Sequence, residues 1–209
     1  VSFIEPARAV PKEPAVEQLY AAERQSWGYL PNYAELFSHE PAVMAAWRQL
    51  VGSIRGAMDR RRFELVTLAA AQARGSSYCS LAHGKFLADL FHTPDEVAGL
   101  AGADRPDPAD ELDLALMEYA RHVALDPASV TRAEVDRLRT LGLGDRDIFL
   151  VAAAVAARCF FATLLDGLGA EPDAELGALP EPMRSALTVG RPIAGQAQTT
   201  EPVSFSPGP

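Results

Sequence analysis

Residues 59–91 read DRRRFELVTLAAAQARGSSYCSLAHGKFLADLF, and the way this stretch divides decides the fold. Asp59 offers a capping carboxylate to a helix over 60–74 that carries Phe63, Val66, Leu68 and Ala70 and stops at Gly75. Ser76 or Ser77 can cap the next helix, which runs through Cys79 and His83 to Phe91. Neither half alternates apolar and polar residues as a half-buried strand would. Two helices joined by a tight turn are the result, and the flanking chain continues in the same way. Upstream, one helix over 16–27 ends at Gly28 and Pro31. A second over 41–55 places Val43, Trp47, Leu50, Val51 and Ile54 on one face. Downstream, Thr93 to Glu96 has a cap, a first-turn proline and acidic residues, which predicts a short helix. Pro106 and Pro108 mark a loop.

A helix over 110–124 is periodic through Leu112, Leu116, Tyr119 and Val123, and Thr131 with Glu134 has capping-box spacing for a helix reaching Leu141. Gly142 and Gly144 break that helix, and 145–168 forms the most apolar one. Its longest uncharged apolar run, 148–157, is shorter than the ~20 residues needed to cross a bilayer, and it reads as a buried helix. The fold class is all-α. The chain divides into an extended arm over 1–14, one helical domain over 15–189, and a Pro/Gly-rich tail over 190–209 that has no core-forming pattern and would be held only by leaning on a neighbouring surface.

The 209 residues are 48% hydrophobic and 22% charged, a globular composition long enough for a substantial core. A formal charge of -9 argues against nucleic acid and anionic membrane surfaces, which select clustered Lys and Arg. Two cysteines make no disulfide framework, and no apolar leader opens the chain, so the expected compartment is a reducing cytoplasm. Shifting the chain by 83 positions lays Glu64 on Asp147, the alanines 69–71 on 152–154, and His83 on Asp166. This weak echo suggests two related helical units, with polar chemistry kept in the first.

Cys79 and His83 stand four apart and share one helix face. Cys79 falls in the first turn, where unpaired N–H groups and the helix dipole favour a thiolate. An imidazole beside it can accept and return the proton. Glu64, fifteen residues earlier, could orient His83 if the two helices pack antiparallel. On spacing alone, a core cysteine beside a half-buried histidine is the competing structural reading. A Cys-x-x-x-His pair offers two metal ligands where structural zinc takes four, so no metal or cofactor is expected. Cys159 reads as a buried thiol, and His39 and His122 have no partner at recognisable spacing. His92 reads as exposed. Arg60, Arg61 and Arg62 oppose the helix dipole and read as solvated or paired across an interface.

Glu64, Ser76-Ser77-Tyr78-Cys79 and His83 resemble the Glu…Cys-x-x-Cys-x-x-x-His signature of alkylhydroperoxidase D-like proteins, within the carboxymuconolactone decarboxylase superfamily. The stretches 62–69, 84–87, 138–145 and 166–169 are similar to the branch called peroxidase-related, so the resemblance spans most of residues 15–180. It implies an all-helical domain built on a repeated helical unit and assembled as a dimer, trimer or hexamer. It also implies a peroxidase-related antioxidant enzyme. In the complete motif, two cysteines reduce a peroxide and form a disulfide, with His and Glu as proton relay. Here the first cysteine is Ser76, whose hydroxyl cannot condense with a sulfenic acid to close a disulfide. The catalytic set carried over is therefore Glu64, Ser76, Cys79 and His83.

Three readings follow. A one-cysteine thiol peroxidase would take a small hydroperoxide and be resolved by an external thiol or by Cys159. A lyase or isomerase would use Glu64 and His83 on a lactone-like substrate without the thiol. A non-catalytic relative would keep the fold for binding or assembly.

Overall fold

The computed structural model describes residues 2–7, 13–102 and 110–196. Among these residues there are ten α-helices and no strand. They are α1 (Pro14–Trp27), α2 (Asn32–Phe37), α3 (Pro41–Gly56), α4 (Arg60–Ala73), α5 (Ser77–Leu90), α6 (Pro94–Ala101), α7 (Glu111–Leu125), α8 (Arg132–Thr140), α9 (Asp145–Gly167) and α10 (Glu181–Leu187). Short 3₁₀ turns cover Pro127–Ser129 and Ala174–Ala178. The expected loop at Pro106 and Pro108 lies outside the described residues.

Three of the expected caps form: Asp59 accepts the Arg62 N–H at 2.9 Å, and Thr93 and Thr131 both close capping boxes. Asp110 also caps α7, accepting the Asp113 N–H at 2.7 Å, whereas the side-chain cap expected from Ser76 or Ser77 on α5 does not form. α4 is the centre of the fold. It packs on α7, α5 and α9, and every residue from Phe63 to Ala71 is buried. Its alanines 69–71 let neighbouring backbones come close, which is why a helix buried all round shows no single apolar stripe.

Several expectations are corrected. On α3 the buried apolar residues are Met44 and Ile54, whereas Val43 and Leu50 are exposed. The six-residue α2 is too short to announce itself by periodicity, yet it buries Tyr33, Ala34, Leu36 and Phe37. α9 runs 23 residues, so by length and composition it could cross a membrane. However, 56% of its most apolar window is buried against the rest of the protein, as in a core helix. α9 is also unbroken where the sequence echo would require a helix–turn–helix like α4–α5, so the second unit does not reproduce the first.

The start of the expected tail is part of the core. Ile193 is buried in the main apolar cluster, and the Gly190 N–H donates to Ser77 Oγ at 2.7 Å. The described part of the arm lies against the end of α9, where the Phe3 N–H donates to the Leu168 carbonyl at 2.8 Å.

Candidate active site

Two turns of sequence build the floor of the site. α4 ends at Gly75, whose φ of 67° is the left-handed conformation that closes a helix, and the Ser76 N–H returns to the Ala71 carbonyl at 2.9 Å. The chain then reverses into α5, so Glu64 on one helix faces His83 on the other. Cys79 is the third residue of α5, within its first turn.

His83 Nδ1 stands 2.5 Å from Glu64 Oε2 and 3.1 Å from Thr67 Oγ1. The Thr67 hydroxyl donates to the Phe63 carbonyl at 2.7 Å, so toward the imidazole it can only accept. The network therefore assigns the proton to Nδ1, shared with the Glu64 carboxylate, and leaves Nε2 as the basic nitrogen. Burial holds the His83 pKa below its usual value, the charge of Arg158 adds to this, and Glu64 opposes both. For Glu64, burial is the largest influence and acts upward. The imidazole, Arg60 and Arg158 together outweigh it and hold the carboxyl below its ordinary range. Arg60 Nε forms an ion pair with Glu64 Oε1 at 2.7 Å.

Arg158 completes the arrangement. Its Nη1 donates to Cys79 Sγ at 3.3 Å, and its guanidinium lies 5.5 Å from the Trp47 ring centroid and 5.4 Å from that of Phe161. Cys79, at 2% exposure, is free of disulfide. Glu64, Cys79, His83 and Arg158 all line one cavity of about 360 Å³, walled chiefly by Trp27, Tyr33, Trp47, Phe63, Phe86 and Phe161. Exposed Ser26, Gly52 and Arg55 also line it, so it reaches the surface.

The wall nearest α1 is fixed by a buried carboxylate. The Tyr33 hydroxyl donates to Glu23 at 2.6 Å and accepts from Trp27 Nε1 at 3.0 Å, while Arg48 pairs with the same carboxylate. Behind Cys79, Asp173 accepts from the Tyr78 hydroxyl at 2.5 Å, the Tyr29 hydroxyl at 3.0 Å and the Asn32 N–H at 2.7 Å. Burial pushes the Asp173 carboxyl up, against these bonds. A larger depression of about 470 Å³ is lined by residues including Gln72, Leu100, Leu114 and Arg121, and among its described lining residues there is no thiol, imidazole or carboxylate.

The remaining sequence candidates fall elsewhere. Ser76 is wholly buried as the N-cap residue of α5, makes no side-chain cap and does not line the cavity. Cys159 is half-buried outside the cavity lining, and burial pushes its thiol up. The three arginines expected to be solvated or to pair across an interface instead pair within the chain. Arg60 meets Glu64, and Arg61 and Arg62 meet the buried Asp113. His92, expected to be exposed, is largely covered and accepts from Arg61 Nε at 3.2 Å. His122 does have partners, Glu134 at 2.5 Å and Ser129 at 2.6 Å, and His39 meets the Glu5 carbonyl at 2.8 Å.

Arg158, Thr67 and Tyr33 did not emerge as site residues from the sequence. For Arg158 a signal existed, because it is the sole charged residue between Ile148 and Leu165. Among the described residues, no group of three or more His, Cys, Asp or Glu side chains is placed to hold a metal ion.

Residues 41–122 match the model of the carboxymuconolactone decarboxylase family. No protein of curated function matches the sequence. A crystal structure of an alkylhydroperoxidase AhpD core, an uncharacterized peroxidase-related protein from Ralstonia eutropha, is similar with a TM-score of 0.75 at 20% identity. That match covers 84% of this chain and 94% of the other. An uncharacterized peroxidase-related protein from Silicibacter sp. is similar with a TM-score of 0.76 at 18% identity, over 85% of this chain and 94% of its own. The debrominase Bmp8, solved in complex with 2,3,4-tribromopyrrole, is similar with a TM-score of 0.68 at 16% identity, over 88% and 95%. The chain thus resembles the carboxymuconolactone decarboxylase family over residues 41–122, and along most of its length it has the all-helical fold of alkylhydroperoxidase D-like proteins, as its Glu…Cys-x-x-x-His motif implied.

Proposed function

We propose that the chain is a peroxidase-related oxidoreductase in which Cys79 is the nucleophile, His83 its base and Glu64 the residue that orients the imidazole. The observation carrying this reading is the alignment of all three in one cavity, with Glu64 at 2.5 Å from His83 Nδ1 and Arg158 at 3.3 Å from the sulfur. His83 Nε2 takes the thiol proton, and sulfur attacks the outer peroxide oxygen. The O–O bond breaks, and the departing alkoxide leaves as an alcohol with the proton returned by His83. Cys79 is then a sulfenic acid. An external thiol condenses with it, releasing water and leaving a mixed disulfide, and a second thiol reduces that disulfide. Ser76 cannot take the part of a resolving thiol, and Arg158 is placed to offset charge that develops on sulfur.

The family match itself favours a second reading, in which Glu64 and His83 act on a lactone as an acid–base pair without the thiol. Consumption of cumene hydroperoxide with dithiothreitol, by the parent and by Cys79→Ser, separates the two. Turnover lost in Cys79→Ser supports the thiol reading. Absence of peroxide turnover in the folded parent, with lactone turnover that survives Cys79→Ser, supports the acid–base reading instead.

A further inference from the structure

Arg158 carries a charge that Glu64 acts on electrostatically but that no ion pair among the described residues answers directly. It is 6% exposed, enters the cavity from an apolar helix, and forms no ion pair among the described residues. Among the described residues its Nε–H is buried without a hydrogen-bond partner, and its side chain's one hydrogen bond there is to sulfur, a weak acceptor. Trp47 and Phe161 lie against the guanidinium, so what remains for a ligand is its N–H edge.

The cavity as a whole has the same imbalance. Three arginines line it, Arg48, Arg55 and Arg158; Arg48 is paired with the buried Glu23, and Glu64 is the one carboxylate among the described lining residues, which leaves Arg55 and Arg158 in excess. Glu64 is already held by Arg60 and His83. In a chain of formal charge -9, this is a local concentration of the opposite sign behind low-dielectric walls, the arrangement that focuses attraction on anions. The remaining walls, Trp27, Phe63 and Phe86, are flat and apolar. The volume of about 360 Å³ lies within the ~300–1,000 Å³ range of small-ligand sites and exceeds what hydrogen peroxide would need.

We infer that the cavity binds a flat organic carboxylate, with its acidic end held by the N–H edge of Arg158 beside Cys79 and its body against the aromatic walls. A planar guanidinium presents two parallel donors to a carboxylate, and a dry site strengthens that pair. This rests on the Cys79 reading above and narrows its substrate to hydroperoxides that also bear an acid group.

Intrinsic fluorescence tests it directly, because the chain has two tryptophans and both line the cavity. Benzoate and benzamide, its neutral near-isostere, are titrated against the wild-type protein. Benzoate is expected to change the emission saturably, to bind at least about tenfold more tightly than benzamide, and to slow alkylation of Cys79 by iodoacetamide. Arg158→Gln, with folding checked by circular dichroism, should bring benzoate down to the benzamide level. Arg158→Lys, which keeps the charge but not the fork, should fall between. Equal affinity for the two probes, no benzoate binding at millimolar concentration, or benzoate binding unchanged in Arg158→Gln overturns the inference. Turnover of neutral cumene hydroperoxide reads the thiol chemistry separately. If it depends on Cys79 while benzoate is not preferred, the anion site fails alone. If benzoate binds through Arg158 while Cys79 is idle, the thiol reading fails and takes with it the claim that the carboxylate is part of a hydroperoxide substrate.

Discussion

A buried histidine that stays neutral is useful as a base only if its proton sits on the correct nitrogen, and here Glu64 and Thr67 together fix it on Nδ1. Because burial and Arg158 hold the His83 pKa below its usual value, the acidic limb of the pH–rate profile should lie below the ordinary imidazole value of ~6.5. A limb at or above that value contradicts the assignment. The same shift couples to stability. Between the lowered folded value and ~6.5, the unfolded chain binds a proton that the folded chain does not, so stability falls as pH drops through that window. Thermal melts between pH 7.5 and 5 should show the decline, and His83→Gln should flatten it. His83→Gln should also slow the reaction with peroxide ~10²–10⁴-fold, the usual worth of acid–base assistance. Cys79 and His83 pair by i,i+4 spacing, but spacing alone left a core cysteine beside a half-buried histidine open, and Glu64, Cys79 and His83 were singled out together by their resemblance to a known motif. Arg158 reaches Cys79 only through the packing of α9 on α5, a contact 79 residues apart that no spacing rule supplies.

Several helix boundaries were legible for a related reason. The caps at Asp59, Thr93 and Thr131 are short-range devices, each written within four residues. The outward turn of Val43 and Leu50 was not, since an apolar stripe on α3 does not say which neighbours will cover it. The seam between the C-terminal segment and α5 was equally hidden. Gly190 sits so close to the α4–α5 turn that an added Cβ would meet the Gly75 carbonyl oxygen at 2.0 Å, a backbone atom with little freedom to move. Gly190→Ala is therefore expected to cost about 1–3 kcal/mol. At ~2–4 °C per kcal/mol for a chain of this size, the melting temperature should fall by several degrees. Because the same seam ties Gly190 to Ser77, two residues before Cys79, thiol reactivity should fall with it. An unchanged melt would show that the seam shifts freely.

For the whole molecule, the apolar surface is uneven. Phe149 and Phe160 on α9 are 70% and 47% exposed, and Leu50 on α3, which packs beside α9, is 52% exposed. We expect a second copy to cover part of this surface, so light scattering at micromolar concentration should give a multiple of 22.4 kDa. A 22.4 kDa particle contradicts that expectation. Glu64, Cys79 and His83 all come from the α4–α5 hairpin, while Arg158 comes from α9 and the walls come from α1, α2, α3 and α9 as well, three of which lie outside the segment that matches the family. Thus the motif could be read from 20 residues, but the aromatic cavity around it required the assembled fold.

The most direct test is to treat the reduced protein with one equivalent of cumene hydroperoxide in the presence of dimedone and map the adduct by mass spectrometry. The account predicts a sulfenic acid adduct on Cys79, formed ~10²–10⁴-fold more slowly in His83→Gln, with Cys159 unmodified. An adduct on Cys159 in place of Cys79, or no adduct on a correctly folded protein, would contradict it.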